Sequence, residues 1–303
     1  MNPEKNPELA IIGCPLDMGA SLRGSRLGPE AIRLAGLEKR LRNIGYKVTD
    51  YGDVEVKNTY IHERGKNNLN HLDLVKEANE NLYDKVDQAL DKNQFPLVLG
   101  GDHSIAIGSI KALLNHYEDL GVLWFDAHGD INTEMTSPSG NIHGMPVASL
   151  MGEGSPILRG IGQEKRFLNK GQIVYIGSRD LDLGERKIMK DLGVKVFTMH
   201  EVDAMGIRGV MEEALNYLGQ TCSHIHVSFD MDVLDPEVAP GTGTKVPGGM
   251  DYREGHLCLE SVAQTGKLVS CEFVEVNPIL DHENKTAKAA VALAGSLLGE
   301  WLI

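Results

Sequence analysis

Three short segments of the chain contain six side chains of the kinds that bind metal ions. They are His103 in GGDHS, Asp126, His128 and Asp130 in DAHGD, and Asp230 with Asp232 in SFDMDVLDP. Residues two apart in an extended segment point to the same side, so each Asp-rich segment can aim its ligands at one place. Carboxylates favour hard cations such as Mn or Mg, and imidazole widens the range toward Zn, Co and Ni. The pattern predicts a hydrolytic site for two divalent cations.

The elements that must position these ligands are short apolar runs that alternate with helical patterns. The predicted strands are 9–15, 46–52, 95–101, 121–127, 172–178, 194–199, 224–230 and 268–276. The predicted helices are 29–43, 72–92, 104–116, 184–192, 205–219, 251–265 and 284–298. Strands that are apolar without alternation are buried on both faces, and a β, α, β, α order gives a parallel sheet. We expect a single α/β domain over 1–303, with a mostly parallel eight-stranded sheet flanked by helices on both faces.

Each of the metal-binding segments directly follows or closes a predicted strand, and Glu275 closes another. The carboxyl ends of parallel strands meet at one edge of a sheet, which is where open α/β sheets bind ligands. The Gly-rich segments 129–171 and 236–250 are long for connections in a compact domain, and such loops are usually functional. We therefore expect one shared site at this edge.

The composition excludes several classes of partner. Lys and Arg total 30 against 43 Asp and Glu, and a net charge of −13 argues against nucleic acid or an anionic membrane. The four cysteines have no CxxC spacing, which predicts reduced, structural thiols. No apolar run reaches the ~18 residues of a membrane span, and the first residues lack the apolar core of a secretion signal. We expect a cytoplasmic protein.

The same segments resemble the signatures of the ureohydrolases, a family of manganese enzymes that includes arginase and agmatinase. The resemblance rests on GGDHS at 100–104, WFDAHGDINT at 124–133, SPSGNIHGMP at 137–146 and SFDMDVLDP at 228–236. It covers nearly the whole chain, and the SPSGN loop with the C-terminal NPILDHENKTAKAA is similar to the bacterial arginase branch. It implies an arginase/deacetylase-like sheet and a homo-oligomer, either a trimer or a hexamer.

The resemblance also implies how the six ligands are shared between two Mn(II) ions per subunit. His103, Asp126, Asp130 and Asp230 would surround one ion, and Asp126, His128, Asp230 and Asp232 would surround the other. Asp126 and Asp230 would then bridge both ions.

The implied reaction is the hydrolysis of L-arginine to L-ornithine and urea. The guanidinium stays protonated at neutral pH, so its carbon is a poor electrophile, and a hydroxide that bridges the two Mn ions would attack it. Asp130 would carry a proton to the departing nitrogen, and His143 would relay protons with solvent. Glu275 would receive the guanidinium, and the hydroxyl of Thr244 would line that end of the pocket.

The other end of the substrate would be bound by a polar loop. In the resemblance, Asn132, Ser139 and Asn141 hold the α-carboxylate of arginine, and Asp182 receives its α-amino group. Asp102 and Asp235 are expected to stabilise turns or to orient other groups rather than to bind metal.

Three alternatives remain open from the sequence. Agmatinase or another guanidino hydrolase would use the same chemistry, but its substrate would give the SPSGN loop and Asp182 nothing to bind. A zinc-dependent deacetylase-like amide hydrolase is known on a related sheet, although this carboxylate-rich set suits two metals better. A noncatalytic binding protein would be favoured by loss of a ligand or of His143, and the sequence retains all of them.

Overall fold

The computed structural model describes residues 7–59, 65–162 and 166–301, and these residues form one eight-stranded sheet. The strands are β1 Leu9–Cys14, β2 Val48–Asp53, β3 Phe95–Gly100, β4 Leu120–Phe125, β5 Ile173–Ser178, β6 Lys195–Thr198, β7 His224–Asp230 and β8 Leu268–Val274. Their order across the sheet is β2-β1-β3-β8-β7-β4-β5-β6, and every neighbouring pair is parallel. The predicted α/β fold with a parallel sheet is confirmed.

The described residues also form ten α-helices. They are α1 Gly28–Leu34, α2 Leu37–Asn43, α3 Leu72–Asp91, α4 Ala106–His116, α5 Pro146–Leu150, α6 Pro156–Arg159, α7 Leu183–Leu192, α8 Met199–Leu218, α9 Tyr252–Gln264 and α10 Lys285–Leu297. No helix of the described chain is long and apolar enough to span a membrane.

Helices α5 and α6 lie within 129–171, where no helix was predicted, and two of the predicted helices differ from the observed ones. The single helix predicted over 29–43 is wrong, because Gly36 has φ 93 and interrupts it between α1 and α2. Helix α8 begins at Met199 rather than at 205, since Thr198 and Glu201 form a capping box, and a kink at Gly206 lies inside it. The Thr-x-x-Glu spacing was the sequence signal for this earlier start.

Side chains on the two faces of the sheet pack into two apolar layers. Leu9 and Ile11 face the layer that contains α1, α2, α8, α9 and α10. Their neighbours Ala10 and Ile12 face the opposite layer, which contains α3 and α4. Both faces of the central strands are therefore covered, which explains why these strands are apolar without alternation.

The site is positioned by four strands that are neighbours at the centre of the sheet, β3, β8, β7 and β4. The register pairs Phe125 with Phe229 and Asp230 with Val274, so the ends of these strands lie at one level. Just after β3, the backbone of Gly101 lies close to Leu16. A Cβ atom added to Gly101 would lie only 1.7 Å from the backbone oxygen of Leu16. The second glycine of GGDHS thus permits the close approach of two chain segments beside His103.

Candidate active site

Three carboxylates converge on one nitrogen of a buried histidine. The Nδ1 atom of His103 lies 3.1 Å from Asp126 Oδ2, 3.2 Å from Asp130 Oδ2 and 3.1 Å from Asp230 Oδ2. The imidazole is fully buried, and Nδ1 makes no hydrogen bond of good geometry with any of the three. A buried nitrogen that faces three carboxylate oxygens without bonding to them has the arrangement of a ligand around a cation.

A second group of ligands lies beside the first. His128 Nδ1 is 3.1 Å from Asp232 Oδ2 and 3.4 Å from Asp126 Oδ1. In each of two trios, His103 with Asp126 and Asp230, and Asp126 with His128 and Asp232, the ligand atoms lie within 4.8 Å of one another. Asp126 belongs to both trios, each of its oxygens facing a different histidine. All six side chains predicted from the sequence as metal ligands are brought together.

The electrostatics of this cluster favour added positive charge. Burial raises the pKa of Asp230 well above its usual value, and the charges of Asp232 and Asp126 raise it further. Burial, followed by the charge of Asp126, also raises the pKa of Asp130 to about 6. Buried carboxylates resist ionisation unless cations or donors offset their charge. The residues present therefore fit a pair of divalent cations, with oxygen ligands and one imidazole for each.

Aromatic stacking holds the His103 ring in place. The indole of Trp124 stacks on it with ring centroids 4.0 Å apart and planes 7° apart. The indole nitrogen also donates a hydrogen bond of 3.0 Å to Asp126 Oδ2. Trp124 thus orients two ligands at once, a role that sequence reasoning missed although the residue precedes the DAHGD segment by two positions.

A buried chain of hydrogen bonds holds His103 at its Nε2 atom, the ring nitrogen that does not face the carboxylates. Its Nε2 atom lies 2.8 Å from the hydroxyl of Ser228, which donates at 2.7 Å to Glu272 Oε1. The other oxygen of Glu272 accepts from Ser109. Because the hydroxyl of Ser228 gives its proton to Glu272, it accepts from Nε2–H, so a neutral His103 ring carries no proton on Nδ1, the atom that would bind a metal. Sequence reasoning also missed Ser228 and Glu272, which lie on interior strands without a motif of their own.

Two site residues adopt left-handed backbone conformations. Asp130 has φ 49 and Glu275 has φ 62, which are costly for residues other than glycine. Glu275 Oε1 accepts from the backbone N–H of His103 at 3.0 Å and lies 3.3 Å from His143 Nδ1. These contacts tie the loops after β3 and β8 to His143, so the surrounding structure maintains the strained conformation of Glu275.

His143 is surrounded by acids. Burial lowers its pKa, but the hydrogen bond to Glu275 and the charges of Glu275, Asp130 and Asp102 outweigh it and raise the pKa to about 9. The imidazole in the absence of metal is therefore protonated at neutral pH. Its position between Glu275 and the cleft suits proton transfer.

An open cleft lies above the ligand cluster, and the predicted substrate-binding residues except Glu275 line it. Its lining includes His128, Asp130, Asn132, Ser137, Ser139, Asn141, His143, Asp180, Asp182, Glu185, Asp230 and Thr244. Asn132 Nδ2 donates to Asp182 Oδ2 at 2.7 Å, and Thr244 Oγ1 donates to Asp232 Oδ2 at 3.0 Å. Glu275 lies deeper, with 3% of its surface exposed.

Other acidic residues around the cleft have structural contacts. Asp182 caps α7 in a capping box with Glu185, a cleft residue that sequence reasoning missed. Burial and the charge of Asp130 raise the pKa of Glu185 to about 7. Asp102 accepts from Gly19 and Ser104, and Asp235 accepts from the backbone of Glu237, Gly248 and Gly249. These two stabilise turns, which is one of the roles expected for them from the sequence.

Comparison with known proteins agrees with this geometry. Residues 7–299 match the family model described as the arginase family. The chain belongs to the arginase family. It is 51% identical to the arginase of Bacillus caldovelox over 97% of this chain and 99% of that protein. The native structure of the same arginase superposes with a TM-score of 0.95 over 98% of this chain and all of the other.

A more distant member of the arginase family has been solved with a ligand. The structure of Entamoeba histolytica arginase in complex with L-ornithine is 32% identical, with a TM-score of 0.89 over 97% of this chain and 99% of that chain. The fold is therefore retained across the family at moderate identity.

Replacing Ser228 with alanine tests the hydrogen-bond chain behind His103. We expect the metal-free protein to lose about 1–3 kcal/mol of unfolding free energy, because Glu272 and His103 Nε2 lose a buried partner. We also expect about tenfold weaker Mn affinity in calorimetric titrations, since His103 loses its orientation. Ser223→Ala, at an exposed position just before β7, is the control. Equal changes in unfolding free energy and in Mn affinity for the two variants would contradict a role for Ser228 in orienting His103.

The raised pKa of His143 predicts a pH-dependent stability. In metal-free protein its contribution is fully present below the unfolded value near 6.5 and is lost as pH rises through about 9. Wild type should therefore lose more unfolding free energy than His143→Asn between pH 6.5 and 9.5, measured by urea unfolding of EDTA-dialysed protein. Parallel pH curves for the two proteins would show that His143 has an ordinary pKa.

Proposed function

We propose that this protein hydrolyses L-arginine to L-ornithine and urea and uses two Mn(II) ions per subunit. The observation that carries the proposal is the pair of carboxylate–imidazole trios sharing Asp126, at the base of a cleft with an amide- and hydroxyl-rich rim. Membership of the arginase family supports it, as does the ornithine bound to the Entamoeba histolytica relative.

The metals would be held by the six residues that the resemblance implies. His103 and His128 would each bind one ion, and Asp126 would bridge both; its two oxygens face different histidines. Asp130, beside His103, and Asp232, beside His128, would each complete one set, and Asp230, 3.1 Å from His103 Nδ1, would belong to both sets as the resemblance implies. When bound, such ions lower the pKa of water toward neutrality and so supply hydroxide for attack on the guanidinium carbon.

The chain's own acids and imidazole would move the protons. Asp130 would take a proton from the attacking water and give it to Nε of arginine, because an amine anion is too poor a leaving group. The bond between the guanidinium carbon and Nε then breaks, the water oxygen becomes the urea oxygen, and Nε leaves as the side-chain amine of ornithine. His143, 3.3 Å from Glu275, would exchange protons between this site and solvent.

The cleft would select arginine by complementary charge at both ends. Its acidic base suits a guanidinium, with Glu275 and Thr244 at that end. Asn132, Ser139 and Asn141 offer donors for a carboxylate, and Asp182 offers a carboxylate for the α-amino group. An agmatine molecule would leave the donors of the rim unused.

We further propose a cytoplasmic homo-oligomer, a trimer or hexamer, that acts in arginine metabolism at the urea-forming step. The four cysteines are free and buried, which suits a reducing compartment. Exposed apolar side chains such as Leu34 and Ile279 would be covered by contacts between copies of the chain.

A paired substrate assay tests this function. Mn-loaded protein should release urea from L-arginine at least about a hundredfold faster than from agmatine at equal concentration, because the rim binds the carboxylate and the α-amino group. His143→Asn should retain its Mn content and turn over more slowly. Similar or reversed rates for the two substrates would reject the arginine assignment in favour of another guanidino hydrolase.

A further inference from the structure

A loop outside the cleft holds the rim residues that face the substrate. Asn68 Nδ2 donates to the backbone oxygens of Glu134 at 3.0 Å and Ser137 at 2.8 Å. The backbone N–H of Asn70 donates to Gly140 O at 2.9 Å. Residues 65–71 thus pack along the loop that contains Ser139 and Asn141, although they do not line the cleft themselves.

The amide of Asn70 has only one orientation that satisfies its neighbours. Its oxygen accepts from the backbone N–H of Gly65 at 3.0 Å, and its nitrogen donates to the backbone oxygen of Ser139 at 3.1 Å. A backbone N–H can only donate and a backbone carbonyl can only accept. If the amide were reversed, its NH₂ group would face the N–H of Gly65 and its oxygen would face the carbonyl oxygen of Ser139.

This orientation fixes the next amide in turn. Asn70 Nδ2 also donates to Asn141 Oδ1 at 3.0 Å, so the oxygen of Asn141 must face Asn70. The nitrogen of Asn141 then donates to the hydroxyl of Ser21 at 2.8 Å, and its second N–H has no partner among the described residues. With the amide reversed, the NH₂ group of Asn141 would oppose the NH₂ group of Asn70.

Ser139 is restricted in a similar way. Its hydroxyl oxygen accepts from the backbone N–H of Asn141 at 3.2 Å, which leaves the hydroxyl proton free to donate. Ser139 and Asn141 both line the cleft. Asn141 thus retains an N–H and Ser139 an O–H that can donate to an anion.

We propose that Asn70 is a positioning residue that fixes the amide of Asn141 and thereby gives the cleft its preference for ligands with an α-carboxylate. The inference deepens the proposed function and rests on it. Asn70 itself does not touch the substrate. Without it, the Asn141 amide is free to adopt both orientations, and carboxylate binding weakens while binding of the guanidinium end does not change.

The test compares L-ornithine, which carries the α-carboxylate but no guanidinium, with agmatine, which carries the guanidinium but no carboxylate. Asn70→Ala and wild type, both loaded with Mn, are titrated by calorimetry with L-ornithine and with agmatine, and kcat and KM are measured with L-arginine. We expect the ornithine Kd and the arginine KM to rise about five- to tenfold in Asn70→Ala, with kcat and the agmatine Kd within about twofold of wild type. The ratio of the two Kd values does not depend on the folded fraction of a preparation.

A control and a second variant keep the test decisive. Asn81→Ala removes an amide that donates to Glu55 O, on α3 and outside the cleft lining, and should leave both Kd values unchanged. Asn70→Ser keeps a small polar side chain but removes the amide donor that faces Asn141 Oδ1, so it should also weaken ornithine more than agmatine. If Asn70→Ala does not fold, Asn70→Ser decides the question.

The experiment distinguishes a failure of the role of Asn70 from a failure of the proposed arginine hydrolysis. Equal loss of affinity for ornithine and agmatine, or no loss of either, would overturn the role of Asn70. A wild-type protein that releases no urea from arginine would overturn the proposed function instead, whatever the binding constants of the variants.

Discussion

The site is governed by the electrostatic free energy that it costs to bury several carboxylates around one imidazole. Asp126, Asp130 and Asp230 each bring an oxygen within 3.2 Å of His103 Nδ1, where burial opposes their ionisation. Burial, and after it the charges of neighbouring carboxylates, raises the pKa values of Asp130 and Asp230. Divalent cations would offset this negative charge, so the cluster favours bound metal over an empty site.

The surrounding fold keeps these groups from moving apart. Four adjacent parallel strands end at one level, and the predicted ligands lie at or just after these strand ends. Trp124 fixes the His103 ring from one side, and Ser228 with Glu272 fixes its far nitrogen. The left-handed conformations of Asp130 and Glu275 add strain that such a framework can maintain.

The sequence predicted the strands and the ligand segments because both leave strong local signals. Buried parallel strands appear as continuous apolar runs, and DAHGD has a spacing that a fold does not otherwise need. The supporting residues could not be predicted in the same way. Glu272 is an acid inside an apolar strand, and its partners Ser109 and Ser228 lie 163 and 44 residues away along the chain. The break at Gly36 was missed because one glycine within an amphipathic pattern is compatible with a continuous helix.

The most direct test of the metal centre is a titration of Mn(II) into EDTA-dialysed protein, with calorimetry and metal analysis on the same samples. We expect two ions per chain for wild type, and the loss of both high-affinity sites in Asp126→Asn, since each oxygen of that carboxylate faces a different histidine. A wild-type protein that binds one ion, or an Asp126→Asn variant that still binds two with unchanged affinity, would contradict the shared metal centre.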